Sequence, residues 1–216
     1  MKTNRPSIEP LEQRIAPAAV FTYADVDGDF VTIRTSRGTD AQLGAILTLA
    51  PEGLGMELQE IDFSENGTAF AGTTLSVSAV RTSAGGDGRV NVGFIDATGF
   101  GGEGDTIDLG AIVIKGDLGR IDAGLSFMAG SAVRGLTVQS MGEFGLSTQG
   151  AGASLVSNLS GRLDFLKVGG NIREAFIEVA GTGASIGPVT VGGSIIGGAA
   201  NDSGRISSEG PVGAVK

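Results

Sequence analysis

The chain contains no histidine and no cysteine, and it has no tryptophan, one tyrosine and six prolines in 216 residues. Without His or Cys it lacks the commonest general base, thiol nucleophiles, the usual zinc sites and any disulfide. With ten Phe and a single Tyr as its aromatics, the core must be built from Val, Ile, Leu and Ala, whose small side chains suit thin, layered β structure. No run of about 18 apolar residues is present, so no membrane-spanning helix is expected. Lys2 and Arg5 could open a secretory signal, but no apolar segment follows them. Low basicity excludes a further class. There are 24 acidic against 15 basic residues, net charge -9, and such a body is repelled by nucleic-acid phosphates and anionic membranes and attracts cations.

Glycine is the residue in excess, 38 of 216, roughly 18% where about 7% is usual. No Gly-X-Y period accompanies it, which excludes collagen, and the interleaved apolar residues exclude the low-hydrophobicity signature of disorder. Its distribution is uneven. Residues 1–84 hold 7 glycines and residues 85–216 hold 31, so composition changes between Thr82 and Gly88.

Beyond that boundary a repeat emerges. Leu109, Ile112, Ile114, Gly116 and Leu118 are matched in spacing by Leu163, Leu166, Val168, Gly170 and Ile172, and again by Ile186, Val189, Val191, Gly193 and Ile195. Weaker copies are Val133, Leu136, Val138, Ser140 and the shortened Val212, Val215. The second position of each copy falls at 112, 136, 166, 189 and 215, giving steps of 24, 30, 23 and 26 residues. Periods in this range predict one solenoid coil each. Alternate apolar residues would point inward and stack on their counterparts one coil away, with glycine at corners where positive φ is needed. The expected fold is therefore all-β, a parallel β-helix with coils of about 23–30 residues, preceded by a small β-hairpin region. Second strands are expected at Leu118–Ile121, Phe176–Val179 and Arg205–Ile206.

The region before residue 88 reads differently. Phe21 and Tyr23 alternate, Asp25-Val26-Asp27-Gly28-Asp29 follows, then Val31 and Ile33, which predicts a hairpin around a Gly-Asp turn. Residues 41–50 predict a short helix ended by Pro51. The expected organisation is a disordered sorting leader over 1–19, a β-rich region over 20–87 and the Gly-rich solenoid over 88–216. Leu75, Val77, Val80, Val90, Val92 and Ile95 also admit a reading as early coils of that solenoid. At the other end, Gly210-Pro211-Val212 parallels Gly187-Pro188-Val189 before the chain stops. This predicts either a fragment of a longer protein or an edge that pairs with another molecule.

Residues 6–19 contain Leu11-Glu12-x-Arg14-x-x-Pro17-Ala18. This resembles the short LEPR-type N-terminal motif of large surface or exported proteins of planctomycete and verrucomicrobial bacteria, with Gln13 where that motif usually has Pro. The resemblance implies sorting through Leu11, Glu12, Arg14 and Pro17, and an exported or cell-surface location. A plain polar leader explains the same residues. The phrases Lys115-Gly116-Asp117-Leu118-Gly119-Arg120-Ile121-Asp122-Ala123-Gly124 and Val191-Gly192-Gly193-Ser194-Ile195 are similar to Gly-rich repeats of the same surface proteins, which implies a structural or adhesive role and no active site.

Three groups of residues point to chemistry. Asp25, Asp27 and Asp29 place three carboxylates within five residues, like the opening of a calcium loop. The glycine falls early, and neither Glu52 nor Glu57 occupies the twelfth position such a loop requires, so a turn with solvated acids reads the same residues. Calcium is the one cofactor the sequence suggests. Gly101-Gly102-Glu103-Gly104-Asp105 is a single imperfect copy of a β-roll calcium repeat. Asp108, Asp117, Asp122 and Asp164, with Lys115, Arg120, Arg162 and Lys167, are the residues a carbohydrate-active β-helix enzyme would use, although alternation places charged residues outward on any such strand. Gly181-x-Gly183 lacks the third glycine and the helix of a dinucleotide fingerprint and reads as a corner. Asn66-Gly67-Thr68 satisfies a glycosylation sequon. The expected function is an exported structural or adhesion-type module without catalytic activity, contacting itself or a polysaccharide, with an enzyme and a calcium-dependent module as alternatives.

Overall fold

The computed structural model describes residues 19–98, 107–124, 130–150 and 152–216, with the side chains of residues 66–68 excepted. Elements follow in the order β1 (Ala19–Ala24), β2 (Phe30–Thr35), α1 (Asp40–Ala45), β3 (Leu47–Glu52), β4 (Gly55–Asp62), a 3-10 turn (Phe63–Asn66), α2 (Gly67–Phe70), β5 (Leu75–Val80) and β6 (Val92–Ala97). Then come β7 (Leu109–Gly124), β8 (Ser131–Met141), β9 (Val156–Leu163), β10 (Leu166–Val168), β11 (Ile172–Arg173), β12 (Phe176–Ile186), β13 (Val189–Val191), β14 (Ile195–Ile196) and β15 (Arg205–Ser208). The fold is all-β, and the strands join one large, mostly parallel sheet.

The first two alternating runs pair antiparallel, Phe21 opposite Ile33 and Ala24 opposite Phe30. The expected helix is shorter than its apolar stretch. Thr39 caps α1 through a capping box with Gln42, and the segment from Leu47 becomes β3 because it pairs antiparallel with β4. Pro51 lies within β3 rather than beyond a helix. This is tolerated because, among the described residues, β3 is an edge strand paired with β4 alone.

Parallel pairing then repeats in a fixed register. Leu75 stands opposite Ile112, Ile112 opposite Leu136, Leu136 opposite Leu166 and Leu166 opposite Val189, and Val189 bridges Val215. A second ladder runs Leu58, Val92, Leu118, Met141, Ile172 and Ile195. From Ile112 onward the first ladder advances by the steps of 24, 30, 23 and 26 residues that the spacing predicts. β4 and β5 enter these ladders from before residue 88, so the sheet is continuous across the composition boundary.

Alternation places the rungs inside. Ile112, Ile114, Leu136, Val138, Leu166 and Val168 are buried, while Val113 and Lys167 between them face outward. Stacked aliphatic rungs remove apolar area from water at about 25 cal/mol per Å², and the parallel ladders satisfy the backbone polar groups of the same strands.

Glycine meets two needs here: the expected positive φ, as at Gly124, Gly142, Gly161 and Gly204, and a second one at the glycines of the repeat template. None of Gly116, Gly170 and Gly193 takes a positive φ. The requirement is close approach instead: a Cβ on Gly116 would stand 1.8 Å from the carbonyl oxygen of Val90 on the neighbouring pass of the chain. Positive φ occurs at Gly181 and Gly183, where the pairing of β12 with β9 shifts register between Ala180 and Ser185.

Candidate cation site

The turn between β1 and β2 closes through two backbone bonds, Asp25 N–H to Asp29 O at 3.0 Å and Gly28 N–H to Asp25 O at 3.1 Å. Two other segments fold onto it. From the β3–β4 turn, Leu54 N–H donates to Val26 O at 2.8 Å. From the segment between β5 and β6, Thr82 Oγ1 donates to Gly28 O at 2.7 Å, Asp87 N–H to Asp27 Oδ2 at 3.1 Å and Gly88 N–H to Asp29 Oδ2 at 2.5 Å. Asp29 N–H donates in turn to Asp25 Oδ1 at 2.8 Å.

Two acids of this turn are buried rather than solvated, and Asp27 between them is half-buried. Asp29 is 0% exposed and Asp25 6%, and one carboxylate oxygen from each of Asp25, Asp27 and Asp29 lies within 4.8 Å of the others. Oδ1 of Asp27 and Oδ1 of Asp29 are buried with no hydrogen-bond partner. Among the described residues the ion pairs are Arg162–Asp164, Arg173–Glu143 and Arg205–Asp202, and none reaches the triad. Burying like charges together favours their neutral forms. Accordingly the Asp25 carboxyl is pushed up to about 7, first by burial, then by the Asp27 side chain, with the charges of Asp27 and Asp29 adding and the Asp29 N–H opposing.

Two further groups adjoin the triad that the sequence did not single out as ligands. Tyr23, Asp25, Glu57 and Asn91 line a cavity of about 20 Å³, the size of a single small ligand atom or water. Glu57 is buried and its carboxyl is raised by burial and then by Glu52. The Tyr23 hydroxyl is buried without a partner and is held well above its ordinary range by burial, then by Asp25 and Glu57. Glu57 arrives because Asp25 bridges its neighbour Met56, a pairing across 31 residues with no local signature.

The four carboxylates proposed for carbohydrate chemistry separate into two sets. Asp108 and Asp164 line one cleft of about 520 Å³ with Ser131, Arg134 and Arg162. Asp164 is engaged there, accepting from Arg162 Nε at 2.5 Å and Ser131 Oγ at 2.8 Å, while Asp108 is raised by burial against the opposing charge of Arg134. Asp117 and Asp122 serve the backbone instead. Asp117 accepts from Ser140 Oγ and Glu143 N–H, and Asp122 from the backbone and side chain of Asn158. Lys115 donates to Ala79 O, and Arg120 lies 3.6 Å over the Phe94 ring. Leu11, Glu12, Arg14 and Pro17, and the segment 101–105, lie outside the described residues, as do the side chains of 66–68.

Among the described residues, no helix is long and apolar enough to cross a membrane. Comparison with protein-family models, with curated proteins and with solved structures finds no match for the chain.

Proposed function

We propose that the chain winds as a parallel β-solenoid and serves as an exported or cell-surface structural module without catalytic activity, touching polysaccharide or further copies of itself through a sheet face or edge. The observation that carries this reading is the pair of six-rung apolar ladders, Leu75 to Val215 and Leu58 to Ile195, in parallel register. Stacked rungs of this kind give rigidity and length from nearest-neighbour packing alone. They leave a regular outward row of side chains as a contact surface. The resemblance of residues 6–19 and of the Gly-rich repeats to bacterial surface proteins supports the location.

A carbohydrate-active reading is favoured by the Asp108–Asp164 cleft with its two arginines. Against it, Asp164 is already paired with Arg162, and among the described residues no aromatic side chain lines the cleft as a platform for a sugar ring. One experiment separates the two. The purified chain is incubated with a panel of neutral and acidic polysaccharides, and both co-sedimentation and new reducing or unsaturated ends are measured. The structural reading expects no chain cleavage on any of them. Cleavage lost on Asp108→Asn would replace it with the enzymatic one.

A further inference from the structure

The turn at residues 25–29 holds two buried carboxylates and a half-buried one, and no ion pair of the described residues reaches them. An arrangement of this kind is costly unless something positive sits within it. One observation independent of the acid pattern points to such an occupant. Asp29 is fully buried and keeps Oδ1 without a donor even though its Oδ2 accepts from Gly88 N–H. Gly86, at φ +103°, packs its backbone against this carboxylate, where a Cβ would stand 1.8 Å from Oδ1, so the covering segment closes tightly over the acid.

We propose that Asp25, Asp27 and Asp29 bind one calcium ion, and that this ion clasps the β1–β2 turn to the Thr82–Gly88 segment. The donors are all oxygen, which selects a hard cation. One oxygen of each carboxylate lies within 4.8 Å of the others, close enough for all three to reach one ion at the calcium–oxygen distance of about 2.4 Å, and calcium tolerates the irregular geometry of a turn better than magnesium does. The backbone N–H groups of Asp87 and Gly88 hold the outer oxygens of Asp27 and Asp29. They orient the ligands across 60 residues of chain, so ion binding and closure of this segment are one event. The assignment does not depend on the solenoid reading.

The only tyrosine of the chain, Tyr23, shares a small cavity with Asp25 and there is no tryptophan, which supplies a position-specific probe. Terbium, a calcium mimic, emits when a nearby tyrosine is excited. The experiment titrates the full chain with terbium in calcium-free buffer, competes with calcium, and measures Tm with a chelator and with millimolar calcium. The expected result is sensitised emission saturating at one ion per chain, displaced by calcium, with a Tm rise of about 5 °C or more at saturation. Tyr23→Phe should lose the emission and keep the Tm rise. Asp27→Asn and Asp29→Asn should lose both while still folding, since each removes a charge from a crowded site; if Asp29→Asn fails to fold, Asp27→Asn at its half-buried position carries the test. A wild-type Tm that ignores calcium overturns the assignment. So does a Tm rise without tyrosine-sensitised emission, or emission that survives Asp27→Asn, because either places the ion elsewhere.

Discussion

The two parts of this sheet are closed by different means. Beyond residue 107 neighbouring passes of the chain stack like on like, Leu136 on Leu166 and Met141 on Ile172, and each rung is sealed by the next. Ile172 is 0% exposed, whereas Ile195, at the far end of the same ladder, is 45% exposed. Before residue 98 the same ladders begin, but two antiparallel hairpins and a knot of buried carboxylates hold them. Apolar stacking is indifferent to pH and metal. A buried acidic turn is not, so the two regions should answer to different perturbations.

The largest expected break comes from placing a charge in a rung. Ile112→Asp puts an unpaired carboxylate where nothing can solvate it, and should abolish the cooperative β transition seen by circular dichroism. Val215→Asp, on the same ladder but 63% exposed, should shift stability by about 0.5 kcal/mol or less. Equal effects would mean that ladder position does not decide burial. Gly116→Ala tests the corners: a Cβ so close to Val90 O forces the backbone apart, and denaturant unfolding should register a loss of about 1–3 kcal/mol. The smallest effect is a graded one in the acidic turn. The Asp25 carboxyl rises from 3.8 to about 7 on folding, so the folded state binds its proton more tightly than the unfolded one. Its stabilising contribution is complete below the unfolded value and is lost as pH climbs toward 7. In chelator, Tm should therefore fall from acid to neutral pH, with Tyr23, Asp27, Asp29 and Glu57 around the group. Asp25→Asn should flatten that slope, and an unchanged slope would assign it to another group.

The rungs from Ile112 onward were legible because a β ladder writes itself into sequence twice, as period-two apolar residues within a strand and as a recurring step between strands. Where the step is interrupted, Leu75 and Val92 were legible only as an alternative reading, early coils of the same array, and Leu58 not as a rung at all. Leu58 to Val92 and Leu75 to Ile112 are rungs of the same ladders, but the 3-10 turn, α2 and the segment around Thr82–Gly88 intervene, and no fixed period survives such insertions. The segment from Leu47 reads as helix from its own residues and is strand only because β4 lies beside it. The acidic triad was visible as a motif, but its burial was not, since the backbone that covers it comes from Asp87 and Gly88. Glycine abundance was plain, yet sequence alone does not distinguish a residue needed for positive φ from one needed for close approach, and Gly116 is of the second kind.

One strand ties these regions together. The 16 residues of β7 pair with β5 and β6 on one side and with β8 and β9 on the other, so a single continuous segment carries a rung of both ladders. Strands that follow can detach pass by pass, each opening costing only its own interface, but no opening that frees β7 leaves either ladder intact. Its amides should therefore exchange with solvent deuterium only through global unfolding, while those of β14 and β15 exchange through local release. The stability of the whole molecule should accordingly be read from the slowest protons of Ile112 to Ile121.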